Sequence, residues 1–201
     1  MPRAGKTSCI DAVAHFLKSA GFKVHSPTEG ASRAPRDLKR NRDLASYNLW
    51  TLCYALTTIL EATYATDHVV LLDRGPFDAI CWFNYLKADG KIDDDARAAV
   101  SRFLRIPQVR RVDLVLVLTC NPQIAMEREQ HDRLADAEGT VTNLQTLTAL
   151  SAEYCRSAAC YMADFPRICV MDTSESKSIR SPAYRSLTEI FDAMAAEQEA
   201  I

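Results

Sequence analysis

The sequence predicts an α/β fold: a three-layer α/β/α sandwich with a mostly parallel sheet and helices on both faces. Three observations carry this prediction. Short apolar runs alternate with helical patterns along the whole chain. The run His68–Leu72 is apolar after its histidine and Val112–Leu118 is apolar but for Asp113, as strands buried on both faces are. The polar residues that stand out, Glu29, Asp73-Arg74 and Asn121, each follow a predicted strand, where open parallel sheets bind ligands.

The elements follow in order. Thr7 to Ala20 places Ile10, Val13, Ala14 and Leu17 at helical spacing, and Gly21 stops the helix. Phe22–His25 reads as a short strand. Ser26 to Arg42 is polar and basic and reads as a loop. Asp43 to about Ala65 is a long helix. Its stretch from Leu49 to Ala65 has Glu61 as its only full charge, so it is buried on more than one side, under other helices or against a second subunit in a homodimer. After the strand His68–Leu72 come helices over Phe77–Ala88 and Asp93–Leu104, the latter with acids in its first turn. Val112–Leu118 is the next strand. Asn121-Pro122 starts a helix that runs to about Glu138, before Gly139. A helix over Asn143–Asp164, a strand over Ile168–Met171 and an amphipathic helix over Pro182–Glu199 complete the pattern.

A chain of 201 residues suits one domain, and its 48% hydrophobic content supplies an ordinary core. A net charge of −2 gives no basic footprint for nucleic acid. No signal peptide or membrane span is legible, since Asp11, His15 and Lys18 interrupt the N-terminal region. The seven cysteines form no CxxC pair and read as reduced thiols of a cytoplasmic protein.

The residues that carry chemistry begin with Gly5-Lys6-Thr7-Ser8. They match the second half of the phosphate-binding P-loop, G-x-x-x-x-G-K-S/T. Gly5 admits an anion to the backbone, and the helix opening behind it offers amides and a favourable dipole. Lys6 suits the β- and γ-phosphates of ATP, and Thr7 suits Mg²⁺. The motif's first glycine and launching strand would precede Met1, which raises the expectation of a late-placed start or an impaired loop. Asp73 sits where a strand-tip carboxylate holds Mg²⁺, with Arg74 beside it for the transferred phosphoryl group or the acceptor. Glu29 is the candidate general base. Arg128 and Arg133 are candidate lid arginines over ATP, on a helix whose interleaved acids also suit a solvated face. Arg33, Arg36, Lys39, Arg40 and Arg42 form a basic run that suits either solvent or an acceptor phosphate. Of Tyr47, Trp50, Phe77, Trp82 and Phe83, one or two are expected to stack on a base and the rest to be core.

In this order the residues resemble the P-loop kinases of the deoxynucleoside kinase and thymidylate kinase group. The resemblance spans nearly the whole chain: GKTS, the loop glutamate, the Asp-Arg pair and the ER-containing helix. The segment PQIAMEREQHDRLADAEGTVTNLQTLTALSAEYC, Pro122 to Cys155, is similar to the lid and following helix of deoxynucleoside kinases. The resemblance implies one P-loop NTPase domain with a lid over about 122–142. It also implies a five-stranded sheet whose central strand is the missing one, ATP with Mg²⁺, and a nucleoside or nucleoside monophosphate as acceptor. The chain departs from the pattern at Gly75-Pro76, where the group has a serine or an aromatic after its Asp-Arg pair. The DRG-x-x-D run from Asp73 to Asp78 also fits a looser set of ATP-binding proteins. The alternative function is an ATP-binding regulatory protein or weak ATPase with no small-molecule acceptor.

Overall fold

The computed structural model describes residues 1–41, 43–64, 69–107, 109, 111–132, 142–175 and 180–199. In chain order its elements are α1 (Lys6–Ser19), β1 (Val24–His25), α2 (Gly30–Arg33), α3 (Arg36–Arg40), α4 (Leu44–Ala62), β2 (Val69–Val70), α5 (Pro76–Ala88) and α6 (Asp94–Phe103), then β3 (Val115–Thr119), α7 (Pro122–Asp132), α8 (Leu144–Cys160), β4 (Ile168–Asp172) and α9 (Arg180–Glu199). The predicted alternation is present. The basic stretch Ser26–Arg42 differs from the expected loop, because α2 and α3 form within it. Ala34 ends the first of these turns, and Pro35 sits at the N-cap of the second.

The chain divides into two compact units. One comprises Met1–His15 with Asp113–Ile201. In it β3 and β4 pair in parallel, from Val115 opposite Ile168 to Thr119 opposite Asp172. Pairing starts at Val115 because its N–H is the first to find a partner, the Arg167 carbonyl at 2.9 Å. Val117, Leu118, Cys120, Leu147, Leu150 and Met171 are buried around this pair. Within α8 the buried Glu153 accepts from the Ser157 hydroxyl at 2.8 Å and pairs with Arg156. Burial of a carboxylate is tolerated only with partners of this kind.

The other unit runs from Phe16 to Val112. Here β1 and β2 pair in parallel, Val24 opposite Val69 and His25 opposite Val70, and the Leu71 N–H extends the ladder to the His25 carbonyl at 2.9 Å. Asp43 caps α4, its carboxylate accepting from the Ala45 and Ser46 amides at 3.1 and 3.0 Å. α4 packs on α5, and Leu52, Ala55, Leu56 and Ile59 of the one and Phe77, Ile80, Cys81 and Phe83 of the other are buried. Its apolar character extends to solvent, since Leu49 and Leu60 are 46% and 48% exposed. Among the described residues no helix is long and apolar enough to cross a membrane.

Candidate functional site

The phosphate-loop candidates lie at the start of α1. Gly5 has φ +79°, the left-handed region that glycine enters without cost, and its carbonyl accepts the first helical bond from the Cys9 N–H at 3.0 Å. The amides of residues 6–8 therefore precede the intrahelical ladder, as the opening amides of every helix do. Thr7 and Ser8 are exposed and Lys6 is half-buried, its Nζ donating to the Met1 carbonyl at 3.2 Å.

The segment ahead of Gly5 is held firmly. Met1 and Ala4 are buried, and the Met1 ammonium donates to the Leu118 carbonyl at 2.7 Å. Arg3 takes a left-handed φ of 58° and ion-pairs with Glu129. Arg128, the residue before Glu129 in α7, donates to the Arg3 carbonyl at 3.3 Å, the Thr173 carbonyl at 2.9 Å, the Thr173 hydroxyl at 3.4 Å and Cys120 Sγ at 3.3 Å. This guanidinium is engaged by the protein's own backbone. The other lid candidate, Arg133, lies outside the described residues, as does most of the lid beyond Asp132.

The ends of β3 and β4 are shaped by short polar links. The Asn121 carboxamide accepts from the Gln123 amide at 2.9 Å, and the Asn121 amide donates to Ser174 Oγ at 2.7 Å. Asp172 accepts from the Ser174 hydroxyl and amide, and these bonds hold its carboxyl below the usual carboxylate range.

In the Phe16–Val112 unit, Arg74 is the centre of the candidate site. Its Nε donates to Glu29 Oε1 at 2.7 Å and its NH1 to Asp78 Oδ2 at 3.4 Å. All three side chains are mostly buried, Arg74 at 17% exposed, so solvent screens the cluster only in part. The residue adopts φ +73°, unusual for a side chain with a Cβ; such strain persists where the surroundings over-determine it, commonly at ligand sites. Gly75 then caps α5, with Pro76 in its first turn. Asp78 closes the DRG-x-x-D run, and its place four residues after Arg74, one helical turn on, is the sequence signal for its part in the cluster.

Beside this cluster lies a small cavity lined by Pro27, Thr28, Gly30, Thr51, Tyr54, Ala55, Leu72, Asp73 and Arg74. Its walls come from the loop after β1, the middle of α4 and the tip of β2. Gly30 is needed at its position: a Cβ there would lie 2.9 Å from Tyr54 Cδ1. Tyr54 in turn stacks on Trp50 with ring centroids 5.9 Å apart. The Tyr47 phenol is pushed up chiefly by burial; Arg74 opposes this, and Glu29 and Asp78 reinforce it. Phe77, Trp82 and Phe83, offered as base-stacking candidates, are 2–6% exposed and belong to the core. Arg33, Arg36, Lys39 and Arg40 are exposed on α2 and α3, and Arg42 lies outside the described residues.

The donors named for magnesium are hard oxygens. Thr7 offers an exposed hydroxyl and Asp73 a half-buried carboxylate at the cavity wall. Among the described residues no cluster of three or more His, Cys, Asp or Glu could cage a metal. A magnesium ion held by nucleotide phosphates and one or two protein oxygens needs no cage, so each of these oxygens, taken within its own unit, has the chemistry for that mode of binding.

No protein-family model matches this sequence, and no curated protein matches it. Solved structures do. Deoxyadenosine kinase from M. mycoides with the products dCMP and a flexible dCDP bound superposes with a TM-score of 0.71, at 15% identity over 96% of each chain. The same kinase with dCTP bound gives 0.65 at 16% identity, over 96% of each chain. With dATP bound it gives 0.65 at 16%, over 94% of this chain and 95% of that one. The likeness establishes the fold: the α/β fold seen in these solved kinase structures.

Proposed function

We propose that the chain, read as one kinase-like domain over 1–201, transfers the γ-phosphoryl group of ATP to a nucleoside or nucleoside monophosphate. The observation that carries this reading is the Glu29–Arg74–Asp78 cluster beside the cavity. A guanidinium at the wall of a small pocket, with the Glu29 carboxylate paired to it, suits an acceptor hydroxyl that must lose a proton while negative charge approaches. The Gly5-Lys6-Thr7-Ser8 turn and the likeness to nucleotide-bound deoxyadenosine kinases support ATP as donor.

In this reading the amides of residues 6–8 and the Lys6 ammonium hold the phosphates. Glu29 accepts the acceptor's proton. Arg74, oriented by Glu29 and Asp78, holds the acceptor or the moving phosphoryl oxygens. Thr7 and Asp73 are the oxygens offered to Mg²⁺, which, when bound, neutralises phosphate charge. Arg133 takes the lid role, and Arg128 is assigned to the protein's own loop. A homodimer through the exposed apolar side of α4, at Leu49 and Leu60, belongs to the same proposal.

The test is ATP consumption across a panel of nucleosides and nucleoside monophosphates. An acceptor-dependent signal abolished by Lys6→Ala supports the kinase. ATP binding with no acceptor in the panel would leave the regulatory or weak-ATPase reading in its place.

A further inference from the structure

Ala4, immediately ahead of the Gly5-Lys6 turn, is fully buried, and its carbonyl accepts from the Thr173 hydroxyl at 3.1 Å. The same hydroxyl also lies 2.9 Å from the Thr119 carbonyl. A hydroxyl has one proton to give. The Thr119 carbonyl already accepts the Thr173 backbone N–H at 2.9 Å, so it keeps a partner if the hydroxyl turns away. Ala4's carbonyl has the hydroxyl as its hydrogen-bond partner, and burial makes losing that bond costly. Arg128 completes the device. It donates to the Thr173 hydroxyl and carbonyl and to the Arg3 carbonyl, so it engages a lone pair of the hydroxyl oxygen and leaves its single proton for one of the two carbonyls. The backbone so gripped passes through two left-handed residues, Arg3 at φ 58° and Gly5 at φ 79°. Arg3 takes that conformation under the same hold, since Glu129 pairs with its side chain.

We infer that Thr173, oriented by Arg128, is a positioning residue that sets the backbone of residues 3–5 and so aims the amides of residues 6–8 at phosphate. It touches no substrate; it acts through the loop. The inference rests on the proposal that this turn binds the phosphates of ATP, and the test separates the two.

Binding of ATP and of adenosine is measured by calorimetry for the unaltered protein, Lys6→Ala, Thr173→Val and Thr173→Ser, with melting curves for each. Valine keeps the shape and removes the hydroxyl; serine keeps the hydroxyl. The expected result is a loss of about tenfold in ATP affinity for Thr173→Val, the scale of one buried hydrogen bond. Adenosine affinity stays unchanged, and Thr173→Ser stays within about twofold of the unaltered protein. Should the valine variant not fold, Thr173→Ala takes its place. If the unaltered protein binds ATP no better than adenosine and Lys6→Ala changes nothing, the phosphate-loop reading fails and this inference falls with it. If ATP binding depends on Lys6 yet the hydroxyl-free variant binds ATP normally, or loses ATP and adenosine equally, the inference alone is overturned.

Discussion

Arg74 donates to Glu29 across 2.7 Å, tying the tip of β2 to the loop that follows β1. The pair brings together residues 45 apart in sequence, and Asp78 holds the other side of the same guanidinium at 3.4 Å. An arginine with a φ of +73°, clamped between two carboxylates, has a fixed direction and little freedom to relax.

Arg74→Lys keeps the charge but loses the fork that meets both acids. Acceptor-dependent turnover should fall by about 100-fold, the scale of one preorganised charge-stabilising donor. The ATP affinity measured without acceptor should stay close to that of the unaltered protein. Equal loss of both would place Arg74 in general folding instead.

Lys6→Ala removes the one side-chain cation of the Gly5–Ser8 turn. ATP should bind about 10- to 100-fold more weakly, the range of a charge-assisted hydrogen bond. Isothermal titration at fixed magnesium reads this directly, and unchanged affinity would remove Lys6 from the phosphate site.

Gly30→Ala places a methyl 2.9 Å from Tyr54 Cδ1, so the ring must move or the backbone must shift. The cost should be about 1–3 kcal/mol, as for other overpacked sites. Because Tyr54 and Gly30 both line the cavity, the acceptor KM should rise while the ATP KM holds. A rise in the ATP KM alone would disconnect the cavity from the acceptor.

Asp43 gives a prediction with a pH sign. The Ser46 hydroxyl, then the Ser46 and Ala45 amides, hold its carboxyl below the ordinary value of 3.8. A folded-state pKa below the unfolded one adds stability above the unfolded value, and that stability is lost as pH falls through the folded one. Asp43→Ala should therefore lower the melting temperature by about 2–4 °C at neutral pH, from a cap of about 1 kcal/mol. The two melting curves should converge in acid, below the ordinary carboxylate range. A deficit that persists there would mean the side chain acts through something other than its charge.

The sequence by itself determined the α/β class and most helix and strand positions, and it singled out the Gly5-Lys6-Thr7-Ser8 turn. These are local matters: apolar period, capping residues and a glycine beside a lysine act within a few residues of one another. It also named Glu29, Asp73 and Arg74, because each follows a strand. Tertiary structure alone decided that Glu29 and Asp78 share Arg74, and that Phe77, Trp82 and Phe83 are core. It alone turned Arg128 towards the carbonyls of Arg3 and Thr173. It also selected Thr173, an ordinary strand-end threonine in sequence, as the partner of a carbonyl 169 positions away. Such pairings depend on which buried polar atoms meet once the layers close, and desolvation then makes each meeting obligatory. Nothing in local residue spacing encodes that meeting.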